Sequence, residues 1–215
     1  MKNTALILAA GSLLALSANA QLVLTGVIDG PLSGGVPKAI ELYATEDIAD
    51  LSIFGIGSAN NGGGTDGEEL TLSGSATAGQ FIYVSSESTG FTTFFGFTPD
   101  FVSGAANING DDAIELFMNG SVIDIFGDIN TDGSGEAWEY LDGWAYRDDG
   151  TGPDGTSFNI GNWYFSGINA LDGESTNATA STPFPTGTYA VPEPSTYAMI
   201  AGVMALGLAY MRRRK

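Results

Sequence analysis

The chain of 215 residues contains neither cysteine nor histidine. Without cysteine no disulfide bond can form, so an exported fold of this length has to be held together by a buried core. Without histidine the commonest general base and the commonest zinc ligand are missing, and Ser-His-Asp and Cys-His catalytic arrangements are excluded. Carboxylate-only chemistry, such as glycoside hydrolysis, stays open.

Positive charge is also scarce, because 7 Lys and Arg residues stand against 25 Asp and Glu residues. Five of the seven lie at the ends of the chain: Lys2, Arg212, Arg213, Arg214 and Lys215. Between them only Lys38 and Arg147 oppose the 25 acids, a net charge of −23. Such a surface excludes nucleic acid as a partner, and it repels acidic polysaccharides unless a divalent cation bridges them. Adaptation to salty water would give the same composition, so both interpretations stay open.

Residues 1–20 have the order of a secretory signal peptide. Lys2 provides a positive n-region, and residues 5–16 form an apolar run rich in Ala and Leu. The Ala18-Asn19-Ala20 triplet then places small residues at the two positions that a signal peptidase inspects. We predict cleavage between Ala20 and Gln21, and therefore export, in preference to a buried first helix.

Residues 197–211 carry no charge and directly precede the basic C-terminus. The run is shorter than the roughly 20 residues that cross a bilayer unaided, but Ser195, Thr196 and the arginine stems extend it. We predict a single transmembrane helix over residues 196–211. The positive-inside rule places its basic end in the cytoplasm and the preceding domain outside.

Pro192, Glu193 and Pro194 lie just before this helix. The order of triplet, short apolar helix and terminal arginines resembles the PEP-CTERM sorting signal over residues 191–215. The resemblance implies a Gram-negative bacterium that makes extracellular polysaccharide, and an exosortase-type processing enzyme as partner. It further implies a precursor anchored in the inner membrane and a final place at the cell surface or in the extracellular matrix. An ordinary C-terminal membrane helix is the alternative.

The segment 21–171 consists of short apolar and β-branched runs separated by Gly, Asn, Asp and Ser. The runs that we predict to be strands are 22–28, 39–43, 51–55, 69–72, 81–85, 113–118 and 122–126. None has a sustained helical period, which predicts an all-β domain built as an antiparallel sandwich. Asn119-Gly120 predicts a type I′ hairpin. Residues 172–190 are small, polar and proline-containing, and they are predicted to be a linker.

An internal repeat and a family resemblance both indicate how the sandwich is arranged. AIELY at residues 39–43 is repeated as AIELF at 113–117, which suggests equivalent strands in facing sheets. Several motifs also resemble a bacterial lamin-tail-type domain: Lys-Ala-Ile-Glu-Leu-Tyr at 38–43, Asp-Leu-Ser at 50–52, Ala-Gly at 78–79, Asn-Gly-Asp-Asp-Ala at 109–113, and Asp-x-x-Gly at 124–127. The resemblance implies an immunoglobulin-like β-sandwich without catalytic residues of its own. Members of that family occur alone, as accessory modules on secreted nucleases and phosphatases, and in surface proteins.

The sequence DINTDGSGEAWE at residues 128–139 matches the calcium-loop pattern D-x-[DN]-x-[DN]-G-x5-E. The candidate calcium ligands are Asp128, Asn130, Asp132, Glu136 and Glu139. The flanking segments predict strand and loop rather than the two helices of an EF-hand, so we expect a loop-type calcium site. The alternative is that Asp, Asn and Gly make turns in an acidic connection and bind nothing.

Aromatic residues and paired acids give two further candidate sites. The late aromatic residues are Trp138, Tyr140, Trp144, Tyr146, Trp163, Tyr164 and Phe165. They would either stack on sugar rings or fill the core, and large rings favour the core. Glu115 and Asp124 lie on the two arms of the predicted hairpin, and Asp111-Asp112 lead into it. An acid pair for glycosidase chemistry could be drawn from these four, although acids near turns are usually solvated.

The sequence therefore predicts an exported, non-enzymatic surface protein whose β-sandwich serves adhesion or association with extracellular polysaccharide. Calcium bridging between acidic loops and an anionic polymer is the expected mechanism, and no other cofactor is predicted. A secreted hydrolase, or an accessory module of a secreted nuclease or phosphatase, is the alternative class.

Overall fold

The computed structural model describes residues 21–191 and the single residue Met211. Most of both targeting segments lies beyond this range, including Ala20 of the predicted cleavage site and the sorting residues Pro192, Glu193, Pro194, Arg212, Arg213 and Arg214. None of the helices within the described residues has both the length and the hydrophobicity of a membrane-spanning segment. The predicted span over 196–211 falls outside it except for Met211.

The described part is mostly β-structure, with one short α-helix. The strands are β1 (Leu22–Leu32), β2 (Val36–Ala44), β3 (Phe54–Ala59), β4 (Leu70–Thr71), β5 (Phe81–Ser85), β6 (Phe101–Val102), β7 (Ala113–Met118), β8 (Ser121–Phe126), β9 (Trp144–Arg147) and β10 (Trp163–Phe165), and the helix is α1 (Thr89–Phe95). Short 3-10 turns span Leu51–Ile53, Asn60–Gly62, Gly104–Ala106, Ile160–Asn162 and Asn177–Thr179.

The strands form two sheets. The six-stranded sheet has the order β10-β9-β1-β2-β5-β6, and the four-stranded sheet has the order β4-β3-β7-β8. Neighbouring strands are antiparallel except for β5 and β6, which run parallel. The repeated AIEL segments fall in β2 and β7, one in each sheet, as the sequence predicted.

The main core lies between the sheets, because its members come from both. Leu24 and Leu42 of the six-stranded sheet pack there with Ile56 and Leu116 of the four-stranded sheet. A second apolar cluster covers the other face of the six-stranded sheet. It combines Val23, Ile28, Trp144 and Tyr146 with Phe91 and Phe94 of α1. Central strand β1 is therefore buried on both faces.

The predicted hairpin at Asn119-Gly120 is confirmed. β7 and β8 pair on either side of it, and Asn119 and Gly120 have φ angles of 51° and 74°. Both values lie in the left-handed region, which Asn and Gly tolerate best and a type I′ turn requires.

The predicted linker over residues 172–190 is wrong. Phe184 and Tyr189 are buried in the second cluster, beside Leu171. The ring of Phe184 lies over Gly26, where a Cβ atom would come within 2.4 Å of it. The segment is polar on average, but a few large apolar side chains dock it onto the sheet. The domain that was expected to end at residue 171 therefore continues through Ala190, whose backbone carbonyl accepts a hydrogen bond from Gly150 at 2.9 Å.

Candidate functional site

The predicted calcium loop directly follows β8 and is built from turns closed by side chains. Asp128 Oδ1 accepts a hydrogen bond from the Asn130 backbone N–H at 2.9 Å, and Asp132 Oδ1 accepts one from Ser134 at 2.9 Å. Hydrogen bonds from the backbone and the side chain of Ser134 lower the pKa of the Asp132 carboxyl. Each carboxylate therefore stabilises its own turn, which is the usual local role of Asp in a loop.

Of the last two candidate ligands, Glu139 also closes a turn, whereas Glu136 does not. Glu139 Oε2 accepts a hydrogen bond from the Gly135 backbone N–H at 2.7 Å, and the Glu136 side chain is exposed. No group of three or more acidic side chains in the described part of the chain is placed to hold a metal ion. The structure thus does not gather the predicted calcium ligands: local turns use the carboxylates of Asp128, Asp132 and Glu139, and Glu136 is exposed.

Asp124 and Arg147 form a buried ion pair where the two sheets meet. Arg147 Nη2 donates to Asp124 Oδ1 at 2.7 Å, and both side chains are fully buried. The two side chains also serve the backbone of Leu24 in β1. Asp124 Oδ2 accepts from Leu24 N at 3.0 Å, and Arg147 Nε donates to Leu24 O at 2.6 Å. Because Asp124 belongs to the four-stranded sheet, this pair joins the two sheets.

Further groups complete the surroundings of the Arg147 guanidinium. Its Nη1 donates to Asp154 Oδ2 at 2.9 Å, and its Cζ lies 4.5 Å from the centre of the Trp163 ring. Gly152 has φ +76°, and a Cβ atom there would lie 2.4 Å from Arg147 Nη1. Every face of this cation is therefore occupied by the protein itself.

The acid pair drawn from Glu115 and Asp124 is not assembled. Leu116 pairs with Asp124 across the β7–β8 ladder, and Glu115 pairs with Ile125. Successive residues of a strand point to opposite faces of a sheet. Asp124 therefore points towards the core, while Glu115 lies on the opposite face.

Glu41 in β2 anchors the C-terminal segment to the outer face of the six-stranded sheet. Its Oε1 accepts hydrogen bonds from Thr25 Oγ1 and from the Tyr146 hydroxyl, each at 2.7 Å. Its Oε2 accepts from Gly187 N at 2.9 Å. The Tyr146 oxygen in turn accepts from the backbone of Tyr189 at 3.0 Å. These groups explain why the polar segment before Ala190 is fixed.

Glu115 occupies the position in β7 that Glu41 occupies in β2, but its environment differs. It is 3% exposed, and its Oε2 is buried without a hydrogen-bond partner among the described residues. Glu115→Gln removes this buried carboxylate oxygen, which has no partner among the described residues. We therefore expect this variant to lower the free energy of unfolding by less than about 1 kcal/mol, or to raise it. Both oxygens of Glu41 accept hydrogen bonds, so in Glu41→Gln the amide N–H₂ group faces a donor and one hydrogen bond is lost. This variant should lower the free energy of unfolding by about 2 kcal/mol. Urea unfolding of both variants measures this, and a larger cost for Glu115→Gln would contradict it.

Buried carboxyl groups make the stability dependent on pH. Burial raises the pKa of Asp29, Glu41 and Asp112 above their ordinary values. The folded chain therefore holds these protons more tightly than the unfolded chain, so the stabilisation is complete below about pH 4 and is lost as the pH rises through the raised pKa values. We expect the melting temperature to fall as the pH rises above about 4, as differential scanning fluorimetry would record. A melting temperature that rises with pH above this value would contradict it.

Most of the late aromatic residues belong to the core, as the sequence favoured. Trp138, Tyr140, Trp144, Tyr146 and Trp163 are buried. Tyr164 is 61% exposed, and Phe165 is half-buried. The sugar-stacking role predicted as the alternative is therefore not available to most of this set.

A groove opens beside the end of β8, next to the 128–139 loop. Its volume is about 460 Å³, within the size range of small-molecule sites. Trp138, Phe158 and Ile160 supply apolar walls, and Asp128, Asn130 and Ser157 are among its polar lining residues. We call this cavity the β8 groove. Sequence reasoning missed it because it joins two loops about 30 residues apart that no motif connects.

Both basic residues of the described domain are used internally. Lys38 Nζ donates to Asp29 Oδ1 at 2.9 Å and to the Ile108 carbonyl at 2.6 Å, and Arg147 is buried as described above. Outside these ion pairs every charged side chain between residues 21 and 191 is an acid. The surface of the domain therefore carries negative charge only.

Comparisons of the chain with protein-family models, with curated proteins and with solved structures find no match in any of the three. The resemblances to the PEP-CTERM signal and to lamin-tail domains therefore rest on the sequence motifs alone.

Proposed function

We propose that this chain is an exported surface or extracellular-matrix protein whose non-catalytic β-sandwich associates with extracellular polysaccharide. In this proposal a signal peptide directs export, the C-terminal helix anchors the precursor in the inner membrane, and an exosortase-type enzyme processes it at Pro192-Glu193-Pro194. The facing sheets, with antiparallel pairing in all but one strand pair, support an immunoglobulin-like sandwich of the lamin-tail kind.

The observation that carries the proposal is the uniform sign of the surface charge. With Lys38 and Arg147 engaged in internal ion pairs, the domain presents acids only. Such a surface stays soluble in a polymer layer and disfavours nucleic acid and anionic membranes. The strand boundaries are compatible with export as well: β1 begins at Leu22, so cleavage after Ala20 leaves every strand intact.

Fractionation of producing cells tests this function. The full chain and the variant Pro192→Ala/Glu193→Ala/Pro194→Ala would be expressed in a Gram-negative host that has an exosortase and makes extracellular polysaccharide. We expect the parent chain in the polymer fraction, and the variant at least tenfold depleted there and retained in the inner membrane.

Ser195→Ala, next to the triplet, is the matched control and should distribute like the parent chain. Retention of the parent chain in the cytoplasm, or an equal distribution of parent and triplet variant, would contradict the proposal.

A further inference from the structure

We propose that the β8 groove binds neutral hexose units of a polysaccharide, an inference that rests on the proposed function and names its ligand class. A pyranose ring has apolar C–H faces and a rim of hydroxyl groups. A site for it therefore needs an apolar wall beside side chains that can still form hydrogen bonds.

The apolar part of the groove is built from rings that hold one another in place. The half-buried Phe158 lies 5.3 Å from Phe126 and 6.4 Å from Trp138, between ring centres. Trp138 is only 6% exposed and forms part of the floor, whereas Ile160 is 40% exposed at the edge. Phe158 and Ile160 can thus contact a sugar ring without first leaving the core.

The polar rim is available for a ligand. The side chains of Asn130, Thr156 and Ser157 line the groove, face solvent and have no hydrogen-bond partner among residues 21–191. An amide and two hydroxyls supply both donors and acceptors, which matches the hydroxyl groups of a sugar. By contrast, the Asp128 carboxylate is tied to the loop by Asn130 and by the Thr131 hydroxyl at 2.9 Å.

Charge selects among the possible sugars. Among the described residues that line the groove, Asp128 alone has an ionisable side chain, and it is negative. In the described part of the chain no basic side chain is available to pair with a uronic acid, because Lys38 and Arg147 are held in their own ion pairs. Neutral hexoses are therefore favoured over acidic ones, which differs from the calcium-bridged anionic polymer expected from the sequence.

Calorimetric titration of the detergent-purified full chain tests this inference. The probes are neutral hexasaccharides of glucose, mannose and N-acetylglucosamine, with galacturonic acid hexasaccharide as the acidic counterpart. We expect at least one neutral probe to bind at least tenfold more tightly than the acidic one. Asn130→Ala/Ser157→Ala should weaken that binding at least tenfold, since two hydrogen bonds are lost. Both replaced side chains are exposed, so the fold is preserved.

Ser73→Ala/Ser75→Ala is the matched control, because these exposed serines lie outside the groove, and it should bind like the parent chain. Equal binding by the parent chain and the groove variant would overturn the inference, as would preference for the acidic probe or binding of none. The function proposed above would still stand in those cases if the parent chain is found in the polymer fraction.

Discussion

Replacing Asp124 with alanine is expected to lower the free energy of unfolding by about 3–5 kcal/mol. The substitution leaves the Arg147 guanidinium buried without its main counter-charge, because Nη2 donates to Asp124 at 2.7 Å. It also removes the acceptor for Leu24 N in the other sheet. An uncompensated buried charge is more costly than the loss of the hydrogen bonds alone.

Urea unfolding followed by tryptophan fluorescence measures this effect. Asp154→Ala is the matched control, since Asp154 contacts the same guanidinium but its side chain is 10% exposed. It should cost about 1–2 kcal/mol. Arg147→Met in the Asp124→Ala background should recover part of the loss, because it removes the orphaned charge. If Asp124→Ala lowers the free energy of unfolding by less than Asp154→Ala does, the Asp124–Arg147 pair does not join the sheets.

Replacing Phe184 with alanine should cost about 3–5 kcal/mol, as for other buried Phe residues. Its ring is 3% exposed and lies 5.3 Å from the Tyr146 ring and 6.0 Å from the Trp144 ring. The space above Gly26 would be left empty. We expect the segment from Leu171 to Ala190 to become susceptible to protease before the rest of the domain.

Limited proteolysis with mass spectrometry, together with urea unfolding, measures both parts of this expectation. Pro183→Ala, at the exposed neighbouring position, is the control and should change the unfolding free energy by less than about 0.5 kcal/mol. If Phe184→Ala behaves like Pro183→Ala, the segment is a linker after all.

The parts of the fold that the sequence predicts are those with a strong local signal. Strands β5 and β7 have the predicted bounds, and the Asn119-Gly120 hairpin is confirmed. Strands β9 and β10 have only four and three residues, and they become strands because β9 pairs with β1 and β10 pairs with β9. Helix α1 has seven residues, too few for a helical period to be visible in the sequence.

The candidate site was harder to predict for a physical reason. Asp and Asn at alternate positions of residues 128–132 suit either calcium coordination or side-chain-closed turns, and the sequence does not separate the two. The β8 groove depends on where the loop around Phe158 docks, which follows from tertiary packing and not from any motif. Likewise, the role of Glu41 requires Gly187 to come within 2.9 Å of it, across 146 residues of chain.

The most direct test of export and processing is the intact mass of the protein recovered from the extracellular polymer of an exosortase-containing host. We expect a chain that begins at Gln21 and has lost Arg212–Lys215 by processing near Pro192-Glu193-Pro194. A full-length chain that retains both terminal segments, found in the cytoplasm or the inner membrane with none in the polymer, would contradict it.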